Sequence, residues 1–180
     1  MRRLVVLLPL VLALTACSTF VTPRYSISAD INVALKSLGV SGISVGTFAE
    51  PADFDRTCRM VGPLAPPDGI TQAAYIKKAL EDELKIAGLY AAASPRVTLT
   101  GAVKKLAFSS TRGLTGGSWD IDVTLTSSNG KFMSALEHYE FESGYMAETA
   151  CKQTAEAFMP AVQNLIGKIV RSPGFKELVQ

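Results

Sequence analysis

Apolar and polar residues alternate with two clear periods along this chain. From Trp119 to Ser127 the period is two: Trp119, Ile121, Val123 and Leu125 share one face, and Asp120, Asp122, Thr124 and Thr126 the other, as in a strand buried on one side. Arg96 to Ser110 alternates too, with Val97, Leu99, Gly101 and Val103 in one phase and Leu106 and Phe108 in the other. The slip at Lys104-Lys105 predicts a bulge. Asn129-Gly130 then predicts a hairpin, with a return strand from Lys131 to about Tyr145 bearing Tyr139 and Phe141. From Thr71 to Ala87 the period becomes helical. Ile76, Ala79, Leu80, Leu84 and Ala87 line one face and Lys77, Lys78, Glu81, Asp82 and Lys85 the other, with Gly88 placed to end the helix. A second helix spans Glu148 to Val170 on the stripe Cys151, Ala155, Phe158, Met159, Val162, Ile166 and Ile169. Pro160 should kink or divide it, and Phe175, Leu178 and Val179 form an apolar tail after Ser172-Pro173.

The first part of the chain is harder to read. Ile43, Val45 and Phe48 mark a short buried strand. Ser28 to Leu38 fits a helix capped by Asp30, but Ile27, Ala29, Ile31, Val33 and Leu35 alternate, so a strand stays open. Glu50 to Gly69 holds Pro51, Pro63, Pro66 and Pro67 and reads as a long irregular segment. Together these elements predict an α+β fold: a two-layer sandwich with a mostly antiparallel sheet of about four strands, and two amphipathic helices on one face. Residues 28–180 form a single globular domain in this reading.

Met1 to Cys17 has a different pattern. Arg2 and Arg3 precede eleven residues, Leu4 to Leu14, that are apolar apart from the ring of Pro9. Eleven residues rise about 16 Å as a helix, too short for a hydrocarbon core of about 30 Å. The layout is that of a secretory signal over 1–16. Leu14-Thr15-Ala16-Cys17 resembles the lipobox of bacterial lipoproteins, which implies cleavage before Cys17 and lipid on its sulfur and its new amino group. Ser18 after the cysteine suggests the outer membrane in a Gram-negative host. Residues 17–27 then read as a lipid-attached tether, interrupted by Thr22-Pro23.

Cleavage there leaves 164 of the 180 residues, enough for one domain with a proper core. Without Arg2 and Arg3 the chain carries 16 basic and 16 acidic side chains. Such neutrality argues against nucleic acid as a partner and against electrostatic binding to anionic lipid. The expected membrane partner is therefore reached through the lipid on Cys17 alone. Cys58 and Cys151 form an even pair in an oxidising compartment, which favours a disulfide over two separate thiols. No CxxC spacing occurs and His138 is the single histidine, so neither a metal site nor a cofactor is expected.

The body resembles a family of small uncharacterised proteobacterial lipoproteins, the YajG-like group. The resemblance runs from Tyr75 to about Leu178. It rests on Ala79-Leu80-Glu81-Asp82-Glu83-Leu84 ending in Ala87-Gly88-Leu89-Tyr90, on Val97-Thr98-Leu99, on the Trp119-to-Leu125 strand and on Ser128-Asn129-Gly130. The aromatic return strand and Ala161-Val162-Gln163 before Pro173 and Phe175 complete it. It implies a lipid-anchored accessory protein of envelope machinery and supplies no catalytic residues.

Candidate chemistry is sparse. His138 stands between Glu137 and Glu140 on a strand, and Cys151 lies on an apolar stripe, so a cysteine hydrolase is not expected. Asp120 and Asp122 share a strand face with Glu140 and Glu142 nearby. This patch could serve a glycan hydrolase, but on an exposed face it more often keeps a sheet soluble. Ser110 to Ser118, with Gly113, Gly116 and Gly117, reads as a mobile hairpin loop rather than a phosphate loop. Trp119 is either a core anchor or a partner contact. The candidate contact residues are Trp119, Asp120, Asp122 and Arg112. The expected function is non-enzymatic binding of an envelope protein at the periplasmic face of the outer membrane. The alternatives are an envelope hydrolase acting on peptidoglycan or glycan, and a lipid carrier with an apolar cavity between helices and sheet.

Overall fold

The computed structural model describes residues 18–113 and 115–180; the leader and Cys17 lie outside the described residues. The elements in order are β1 (Phe20–Val21), α1 (Ala29–Ser37), β2 (Ile43–Ala49), β3 (Thr57–Cys58), β4 (Gly62–Ala65), a 3-10 turn (Pro67–Gly69) and α2 (Gln72–Ala87). β5 (Val97–Arg112), β6 (Gly116–Ser127), β7 (Phe132–Glu142), α3 (Ala147–Arg171) and α4 (Pro173–Leu178) follow.

The main sheet has the order β2-β5-β6-β7. β2 runs parallel to β5, and the β5-β6 and β6-β7 pairs are antiparallel. α2 packs over β2, and α3 over β5, β6 and β7. This is the expected α+β sandwich. The interlayer is filled by Trp119, Phe158, Ile76, Leu80, Leu84, Leu99 and Ile121, each at most 1% exposed. The bulge falls between Val103 and Lys105, where the sequence changes phase. Gly130 takes φ +86° in the Asn129-Gly130 turn, a backbone conformation that costs glycine nothing.

Capping explains the helix boundaries. The Thr71 hydroxyl accepts from the Ala74 N–H and starts α2. Gly88 ends it in the left-handed region, and the Leu89 N–H reaches back to the Leu84 carbonyl. The ambiguous 28–38 segment is a helix, capped by Ser28 rather than Asp30. Residues Ile31 and Leu35 bury one side of it, and Val33, which completed the apparent alternation, is 69% exposed. α3 is neither divided nor ended at Pro160. The proline removes a donor to the Glu156 carbonyl, on a flank where Glu156 faces solvent. Buried Ala157, Phe158, Ala161 and Val162 hold both halves of the helix on the core.

Two segments are more ordered than the sequence suggests. The proline-rich 50–69 stretch contains β3 and β4, paired with each other, and β1 adds parallel to β4. The sulfurs of Cys58 and Cys151 are bonded, closing 93 residues of chain and fastening this small sheet to the start of α3. The expected tether is the other case. From β1 onwards it lies on the domain, through the Thr22 N–H to Ala65 O, the Tyr75 hydroxyl to Pro23 O, Arg24 to Asp68, and Gln163 Nε2 to Ser26 O.

Candidate functional site

The helices cover one face of the main sheet and leave the other open. Alternation decides which side chains the open face carries. On β6 they are Asp120, Asp122, Thr124 and Thr126. On β7 they are Phe132, Ser134, Leu136, His138 and Glu140, and the two strands pair Asp120 with His138 and Asp122 with Leu136.

A compact ionic cluster lies at one end of this face. His138 Nδ1 donates to Asp120 Oδ1 at 2.7 Å, and His138 Nε2 lies 3.2 Å from Glu140 Oε1. Arg112 pairs with Glu140, and its Nη1 lies 3.4 Å from His138 Nε2. Lys105 Nζ stands 4.0 Å from Asp120 Oδ2. All of these side chains are at least one-third exposed. Water screens such pairs, so they order the face more than they stabilise the fold.

The sequence-predicted site residues separate here. Asp120 and Arg112 come together through His138 and Glu140, whereas Asp122 lies one pleat further along, opposite Leu136. Trp119 is not on this surface. It points inward, is 1% exposed, packs at a tilt against Phe158 with ring centroids 4.6 Å apart, and donates its indole N–H to Thr154 O at 2.8 Å. A strand start beside glycines allows core or contact, and packing beneath α3 makes it core. The glycine-rich loop also shrinks. β5 continues to Arg112 and β6 begins at Gly116, leaving a short tip. Gly117 lies under the Phe141 ring, where a Cβ would overlap the ring, so this glycine serves close packing rather than mobility.

Two features escaped the sequence reading. Glu83 looks like one more charge on α2, yet it is fully buried. Its Oε1 accepts from the Tyr25 hydroxyl at 2.9 Å and from the Ser28 N–H at 2.8 Å. Burial and the adjoining Glu83 carboxylate push the Tyr25 hydroxyl well above the ordinary tyrosine value, and burial raises Tyr75. Glu137 is 5% exposed and pairs with Lys168 of α3 at 2.6 Å. The same Lys168 donates to the Leu136 carbonyl, which places a charged group against β7, the last strand of the sheet.

The chemical capacity of the open face is limited. A depression of about 240 Å³ lies beside Asp120, His138, Leu136 and Lys168. Among the described residues, no three His, Cys, Asp or Glu side chains are grouped to hold a metal ion. No described helix is long and apolar enough to cross a membrane.

No protein-family model and no curated protein matches the chain. Solved structures do. Protein XCC0632 from Xanthomonas campestris, of the DUF330 family, has a TM-score of 0.50 at 9% identity, over 85% of this chain and 94% of that one. A protein described as "a putative lipoprotein from Caulobacter crescentus CB15" gives 0.40 at 14%, over 79% and 93%. A PelC dodecamer from Paraburkholderia phytofirmans gives 0.33 at 14%, over 78% and 93%. The first of these establishes a shared fold. That likeness extends to the fold alone, and the YajG-like resemblance receives no separate support.

Proposed function

We propose that this chain is a lipid-anchored, non-catalytic protein of the bacterial cell envelope, held at the periplasmic face of the outer membrane, and that its open sheet face docks an envelope protein. Phe132 and Leu136, 73% and 67% exposed beside Thr124, Thr126, Ser134 and the ionic cluster, carry this reading. Isolated exposed apolar residues are ordinary. Here two share one strand face with an ionic cluster that is already ordered, and this combination suits a partner contact. The lipobox and the neutral body support the placement.

Filling of the interlayer by large side chains weighs against a lipid carrier. Engagement of Asp120 by His138 and Lys105 weighs against a free catalytic carboxylate. The test is chemical cross-linking in intact envelopes followed by purification. One partner should be recovered reproducibly with the native chain and lost when Leu136→Asp and Phe132→Ser are combined. Recovery of no reproducible partner would overturn the docking claim. An activity on peptidoglycan that vanishes with Asp120→Asn and Asp122→Asn would show catalysis instead.

A further inference from the structure

We propose that the end of the molecule bearing Met60, Tyr145 and Met146 lies in the membrane interface, against the phospholipid surface that holds Cys17. This rests on the lipid-anchor reading above and adds an orientation to it.

Ser18, bonded directly to Cys17, is not at the end of a free tether. Its carbonyl presses on Gly62 so closely that a side chain at Gly62 would overlap it. β1 and β4 run parallel with Phe20 beside Leu64, which sets Ser18 at the N-terminal end of β4, next to the Arg59-Met60 turn. The following chain is fastened through Thr22, Pro23, Arg24, Tyr25 and Ser26. Neighbouring Cα atoms are about 3.8 Å apart, so a lipid on Cys17 attaches one residue from this end of the domain. The exposed surface beside Ser18 is then the one nearest the bilayer.

Three apolar side chains stand exposed at this end, beside charged Arg112 and Glu142 where β5 and β7 finish. Met60 is 96% exposed, Tyr145 78% and Met146 68%. They are neighbours because the Arg59 guanidinium donates to the Tyr145 carbonyl at 2.9 Å and to Ser110, and because Cys58 is bonded to Cys151 of α3. The turn is held at a conformational cost: Arg59 and Met60 both occupy the left-handed region, at φ +46° and +56°, where asparagine and glycine are usual. Arg59 is locked from within, and Met60 projects fully. Methionine and tyrosine side chains suit the boundary between headgroups and acyl chains, tyrosine because its ring is apolar and its hydroxyl wet. The balanced charge of the mature chain offers anionic headgroups little attraction. Contact through apolar side chains beside the acyl groups is what remains.

Brominated lipid quenches tryptophan on contact and so tests this orientation. The acylated protein, beginning at Cys17 and purified from membranes, is reconstituted into vesicles of phosphatidylethanolamine and phosphatidylglycerol with brominated acyl chains. Met60→Trp and Tyr145→Trp are compared with Leu136→Trp on the sheet face, after subtracting emission from buried Trp119. Emission at 60 and 145 should fall to about half or less of its value in unbrominated vesicles, and at 136 stay unchanged. Two tryptophan positions protect the result against one variant that fails to fold. If the protein floats with the vesicles and neither position is quenched, the orientation is wrong while the anchor stands, and the patch is left for a protein. If the protein does not float with the vesicles, the anchor reading itself fails and the orientation with it.

Discussion

The Tyr25 hydroxyl donates to Glu83 Oε1 at 2.9 Å across 58 positions of sequence, joining the supposed tether to the core helix α2. The Ser28 N–H shares the same oxygen, so one buried carboxylate orients both the N-terminal segment and the start of α1. Tyr25→Phe removes one of these two donors from a fully buried acid. The expected loss is about 1–3 kcal/mol, or roughly 2–4 °C in Tm per kcal/mol. Thermal unfolding of the two proteins in parallel measures it, and hydrogen exchange at residues 20–28 should rise in the variant.

Alkaline pH acts on the same contacts. Tyr25 and Tyr75 both have folded values raised above the ordinary 10.0, so folded protein keeps protons that unfolded chain releases. Their contribution is complete below about pH 10 and is lost as pH rises from there toward the raised folded values. Denaturant midpoints measured between pH 8 and pH 11 should therefore hold steady and then fall, and Tyr25→Phe should make that fall shallower. An unchanged alkaline limb in the variant would mean that Tyr25 is not held neutral by its surroundings.

The Cys58–Cys151 bridge closes 93 residues. A loop of this length contributes roughly 4–5 kcal/mol by restricting the unfolded chain, equivalent to roughly 8–20 °C in Tm for a domain of this size. Combining Cys58→Ser with Cys151→Ser should lower Tm by that amount. Native protein should show no free thiol at either position and should change gel mobility on reduction.

Two glycines of the central strands lie beneath rings of the outer ones: Gly101 beside Phe48 of β2 and Gly117 beside Phe141 of β7. Gly117→Ala has no room, with the Phe141 ring on one side and the Ser109 carbonyl on another. It should cost about 1–3 kcal/mol. Phe141→Leu should recover part of that loss in the double variant, whereas additive losses would show that the ring is not the obstacle. Chemical denaturation of the four proteins decides between them.

Legibility followed the range of the interactions. α2, the β5 bulge, the β6 alternation and the Asn129-Gly130 hairpin depend on neighbours in sequence, and all stand where the pattern put them. The pairing of Phe20 with Leu64 does not, since neither short strand has a period to detect. Glu83 sits at a position where α2 turns toward α1, and only the packing of α1 shows that its carboxylate is enclosed. Pro160 was expected to kink or divide the helix, and α3 runs through it undivided, packed on the core on both sides. On the open face, Asp120 and Asp122 were readable by alternation. The link through His138 to Arg112 needed the register of β5, β6 and β7. Trp119 illustrates the limit: its strand was clear, but whether its face was the covered one became clear only with the helices in place.

Anchoring through Cys17 underlies both the proposed placement and the proposed orientation. Intact mass spectrometry of the protein extracted from membranes of its native host tests it most directly. The chain should begin at residue 17, with the leader gone and acyl groups on the cysteine. A chain that keeps its leader, or that begins at an unmodified Cys17, would contradict it.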